Sequence, residues 1–132
     1  MVSNMSKKRL VSLLFILITF IGLSFPENIE AVSVSNSYMT VRATIPSSRN
    51  YAFGSISNDT YYYGEVLVTA EFSIGYQTFT YQGSSSGKGG AYVYVHPTYS
   101  NYSAVRARSK GTVTIGSTIR TLTTPWQYWY LN

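Results

Sequence analysis

From Tyr38 onward, apolar and polar residues alternate one by one through most of the chain. This is the periodicity of strands with one face in a core and the other in solvent. Met39, Val41, Ala43 and Ile45 fall on one face, and Thr40, Arg42 and Thr44 on the other. Pro46-Ser47-Ser48 reads as a turn. Tyr51 to Ile56 is a weaker strand interrupted by Gly54, and Ser57-Asn58-Asp59 is a loop signal. Tyr61 to Phe72 is the longest run. Tyr62, Gly64, Val66, Val68, Ala70 and Phe72 share a face, and Tyr61, Tyr63, Glu65, Leu67, Thr69 and Glu71 share the other. Both charges lie in the second set, so the first is expected to face the core. Ser73-Ile74-Gly75 turns the chain, and Tyr76 to Tyr81 returns as a hairpin partner.

Gly83 to Gly90 reads as a flexible loop, too small and polar to bury. Ala91 to Val95 alternates Tyr92 and Tyr94 against Ala91, Val93 and Val95, and His96-Pro97-Thr98 breaks it. Ala104 to Arg108, Thr112 to Ile115 and Ser117 to Thr121 read as three more strands, with Ser109-Lys110-Gly111 and Gly116 marking turns. The chain ends in the aromatic stretch Trp126 to Leu131. No helical period is evident after residue 31, and Thr, Val, Ile and Tyr suit pleated, half-buried surfaces. The expected fold is all-β: a small antiparallel β-sandwich, or barrel, of about 7–8 short strands.

The N-terminus has a different grammar. Lys7, Lys8 and Arg9 precede a nearly unbroken apolar run from Leu10 to Phe25, Pro26 ends it, and Ile29-Glu30-Ala31 offers a small residue for cleavage. This is the pattern of a secretory signal peptide over residues 1–31. The run is shorter than the ~20 apolar residues of a membrane span. With no cysteine, a lipoprotein lipobox is excluded. The expectation is a secreted, extracellular protein with a single domain over residues 32–132, whose core is apolar and aromatic packing without disulfides.

Seven basic residues and three acids follow residue 31, a net charge of +4. That balance favours anionic partners: a phosphate-bearing cell-wall polymer, a cell-wall precursor or a membrane surface. Export argues against nucleic acid. Catalysis finds little material. The one histidine, His96, precedes a proline, Asp59 is the acid it would have to use, and no nucleophile-elbow motif surrounds a serine. Glu65 and Glu71, six residues apart on one strand face, stand roughly 20 Å apart. A glycosidase needs carboxyl groups about 5 to 9.5 Å apart. One histidine, no cysteine and scattered acids give no metal-ligand spacing. A non-enzymatic protein without metal or cofactor is expected.

Two features point to binding. Arg106, Arg108 and Lys110 alternate, so a strand places Arg106 and Arg108 on one face, about 7 Å apart, where two guanidinium groups can hold phosphate. The competing reading is a charged edge strand that deters edge pairing. Tyr61, Tyr63, Tyr92, Tyr94, Tyr99 and Tyr102 exceed the needs of so small a core. Exposed rings can stack on sugars or lie at a membrane interface, although cross-strand pairing also employs them. Tyr99 and Tyr102 are the expected stacking partners of the basic strand.

From Gly89 to Asn132 the chain resembles the lactococcin 972 family of secreted bacteriocins. The resemblance rests on Gly89-Gly90, Tyr92, the tetrapeptide Tyr99-Ser100-Asn101-Tyr102, the basic stretch, Gly111-Thr112-Val113-Thr114-Ile115 and the aromatic end. The chain departs from the family pattern at Ala91 and Tyr92, where tryptophan is usual, and at Ser103 and Arg106, where histidines are usual. The resemblance implies an exported β-sandwich that acts on cell-wall precursor in related, Gram-positive bacteria.

Overall fold

The computed structural model describes residues 30–129, and the signal-like segment before Glu30 lies outside the described residues. Nine strands form among the described residues: β1 (Glu30–Ser35), β2 (Met39–Ile45), β3 (Ala52–Asn58), β4 (Tyr63–Ile74), β5 (Gln77–Lys88), β6 (Gly90–Val95), β7 (Ser103–Ile115), β8 (Thr118–Thr123) and β9 (Gln127–Tyr128). They make a sandwich of two antiparallel sheets. Sheet 1 has the order β1-β2-β3-β6. Sheet 2 has the order β5-β4-β7-β8, and β9 joins β7 beside the part that β8 leaves unpaired.

The alternation builds the core directly. Met39, Val41, Ala43 and Ile45 of β2 and Val66, Val68, Ala70 and Phe72 of β4 are all buried between the sheets, where β2 packs across on β7 and β3 on β4. The β4–β5 and β7–β8 hairpins turn on two residues each, Gly75-Tyr76 and Gly116-Ser117. The glycine in each has positive φ, +56° and +62°, which suits the first position of a tight hairpin turn. Asn36 closes the β1–β2 turn by accepting the backbone N–H groups of Tyr38 and Met39 at 2.8 and 3.0 Å.

Three sequence expectations are corrected. Gly83 to Gly90 is not a loop: β5 runs unbroken to Lys88, paired residue by residue with β4. Its glycines are small because β6 passes close beneath. A Cβ at Gly83 would stand 3.1 Å from Val93 Cγ2 and 3.2 Å from Val95 Cγ2. Likewise Ser109-Lys110-Gly111 is the middle of β7, not a turn. A Cβ at Gly111 would overlap Val41 Cγ2, so the glycine marks a close approach of the two sheets, as Gly54 of β3 does against Val68. Finally, the strands read from the sequence begin at Tyr38, whereas Glu30 to Ser35 is also a strand, paired with β2.

Candidate functional site

β7 is an inner strand of sheet 2, between β4 and β8, and carries the cationic row. It holds a bulge: Phe72 pairs with Ala104 but Glu71 pairs with Arg106, which leaves Val105 as the extra residue. The bulge lets Ala104 and Ala107 both reach the core and sends Arg106, Arg108 and Lys110 outward together. They stand opposite Glu71, Thr69 and Leu67 of β4.

The three cations differ in state. Arg106 Nε donates to Glu71 Oε2 at 2.7 Å, and Nη2 closes on the same oxygen. Arg106 Nη1 also donates to the Tyr128 hydroxyl at 3.2 Å. The hydrogen bond to Glu71, then that to Tyr128, raises the Arg106 pKa above the ordinary arginine value. Both guanidinium groups lie over the Trp126 ring, whose centroid is 3.9 Å from Arg106 Cζ and 4.4 Å from Arg108 Cζ. Both are cation–π distances. Arg106 is thus neutralised by a carboxylate, whereas Arg108 is held on an aromatic plane and Lys110 is exposed beside it. Tyr99 and Tyr102 are placed elsewhere. Their rings lie 5.5 Å apart, and Tyr102 stacks on Phe79 at 5.2 Å. Phe79 pairs with buried Phe72, so this cluster sits at the rim of the inner face rather than over the outer row of β7.

A second constellation occupies the outer face of sheet 1. Phe53 of β3 is 4.9 Å from Tyr94 and 6.1 Å from Tyr92 of β6. Tyr51 is 5.4 Å from Tyr94 and 5.7 Å from His96. The five rings form one ridge. The alternation of Tyr51 with Phe53, and of Tyr92 with Tyr94 and His96, signals each half in the sequence. What the sequence does not disclose is that β3 and β6 are neighbours. Trp126 is the other residue that sequence reading left without a role, because its position under β7 depends on β9 returning to that strand.

The acids and the histidine do not converge. Asp59 caps the turn after β3, where Oδ1 accepts the Tyr61 N–H at 2.9 Å. His96 lies beside Tyr51, at the other end of β3. At about 3.3 Å per residue the length of that strand separates them. Glu65 and Glu71 share the outer row of β4 with Leu67 and Thr69 between them. Among the described residues no three His, Cys, Asp or Glu side chains group to hold a metal. No protein-family model, curated protein or solved structure matches this chain.

Proposed function

We propose that this is a secreted, non-enzymatic, cationic β-sandwich that binds an anionic polymer or precursor of the bacterial cell wall, as a bacteriocin or as a wall-binding module. The observation that carries the reading is the outer row of β7. Arg108 and Lys110 lie next to each other on a rigid inner strand, and Trp126 holds the Arg108 guanidinium in place. A guanidinium oriented on a ring keeps its N–H fork directed outward, which suits bidentate capture of a phosphate. Arg106 contributes less, because Glu71 already occupies it.

The test is co-sedimentation of the protein with purified, phosphate-bearing walls over a range of salt. Replacing Arg108→Ala with Lys110→Ala is expected to weaken binding about tenfold and to flatten its decline with salt, because screened contacts are removed. Unchanged affinity and an unchanged salt slope would sink the β7 site. Growth inhibition of related strains separates the bacteriocin from the module that binds without killing.

A further inference from the structure

We propose that the outer face of sheet 1 is a second binding site, for an uncharged or N-acetylated sugar chain. Tyr51, Phe53, Tyr92, Tyr94 and His96 form its ridge. The rings are not part of the core. Their strand neighbours Ala52 and Val95 are buried, whereas Tyr92 and Tyr94 are 64% and 50% exposed. Ring-to-ring spacings between 4.9 and 6.3 Å make the ridge continuous from Tyr92 to His96.

The floor beside the ridge identifies the ligand class. Register places Thr44 next to Phe53, Arg42 next to Ser55 and Thr40 next to Ser57. Ser35 continues these rows on β1, its hydroxyl 2.8 Å from that of Thr40, whereas the Ser33 Oγ is buried. The outer face is therefore aromatic on one side and hydroxyl-lined on the other, with Arg42 its one cation among the described residues. A pyranose ring has the complementary form: a C–H face that stacks on aromatic rings, and a rim of hydroxyl or acetamido groups that exchange hydrogen bonds with Ser, Thr and Tyr. Binding sites of this kind join apolar ring contact to a few placed polar groups. A lipid surface fits poorly, because Ala31 is the only aliphatic side chain directed outward from the described strands of this sheet. An open, continuous ridge suits an extended polymer rather than a small molecule. The site is independent of β7, whose cations project from the opposite face of the sandwich.

The experiment measures binding to a soluble β-1,4-linked N-acetylglucosamine hexamer and to walls stripped of phosphate polymers. Salt of about 0.5 M suppresses the charged contacts. The wild-type protein is expected to bind both. Tyr92→Ala with Tyr94→Ala is expected to lose about tenfold or more at an unchanged melting temperature, and Tyr92→Phe with Tyr94→Phe to stay within about twofold, since stacking survives. Arg108→Ala with Lys110→Ala should bind the sugar normally. Failure of the wild type to bind either sugar probe, or equal binding by the alanine variant, overturns the proposal while leaving the β7 site untouched. It also falls if the β7 variant loses the hexamer. Tyrosine-dependent binding to neutral phosphatidylcholine vesicles without sugar binding would overturn it in favour of a lipid surface.

Discussion

Ser109 sits at the centre of β7 with its side chain fully buried, and its Oγ has no hydrogen-bond partner in the protein. The backbone at the same residue is satisfied: Ser109 N–H donates to Thr124 Oγ1 at 3.0 Å, and Ser109 C=O accepts from the Thr124 N–H at 2.9 Å. The side chain and the main chain therefore predict opposite outcomes. Ser109→Ala removes an orphaned hydroxyl and is expected to raise stability by about 1 kcal/mol. Thr124→Val removes the acceptor of a buried N–H and is expected to cost about 1–3 kcal/mol. Two residues further along the same inner row, Gly111→Ala would drive a methyl into Val41 Cγ2, an overpacking expected to cost about 1–3 kcal/mol. Denaturant midpoints of the three variants check all three signs. The Ser109→Ala result is the most exposed, since a loss of stability there would mean that the hydroxyl has a partner after all.

The elements divide into those that the sequence discloses and those that only the packing explains. β2, the inner face of β4 and the β4–β5 hairpin follow from alternation and turn residues alone. So do the outward tyrosines of β6. β5 and β7 do not, because their glycines and serines resemble loop and turn residues. In a single chain the same small side chains serve flexibility or close approach, and only the opposing sheet decides which. The candidate site shows the same division. Alternation puts Arg106, Arg108 and Lys110 on one face, but the pairing of Arg106 with Glu71 and the arrival of Trp126 depend on strand order. The return of the C-terminal segment is fixed by a clamp at the β7 bulge. Arg49 Nε donates to Ala104 C=O at 3.1 Å, Ala104 N–H donates to Arg49 C=O at 2.7 Å, and Trp129 N–H donates to Val105 C=O at 2.9 Å. The Arg49 guanidinium also covers the Trp129 ring at 4.0 Å, and its burial lowers its pKa from the ordinary arginine value. Arg49→Ala and Trp129→Ala are each expected to destabilise the fold by about 1–3 kcal/mol. The double variant should lose less than the two single losses combined, because both remove the same contact. Strict additivity in chemical denaturation would show that the turn and the C-terminal segment are held separately.

At the scale of the molecule, the sandwich holds two unlike surfaces back to back. One carries cations on an indole, the other phenol rings beside hydroxyls, and the packed core between them is built without cysteine. Sheets pack about 10 Å apart, so the two faces cannot share a small ligand; on the proposed reading, both meet a wall in which charged polymer and glycan run side by side. A rigid scaffold fixes the distance between the sites. Once one face is bound, the other meets its ligand at a high effective concentration. Intact, phosphate-bearing walls should then bind the protein far more tightly than either stripped walls or the isolated charged polymer. The variants should also behave differently on the two materials. On isolated ligands each pair of substitutions should affect only its own ligand, since sites without shared partners act independently. On intact walls, either pair alone should remove most of the avidity, and combining them should add little beyond the loss of the remaining single-site affinity. If intact walls bind no more tightly than the better of the two isolated ligands, the two faces do not act together.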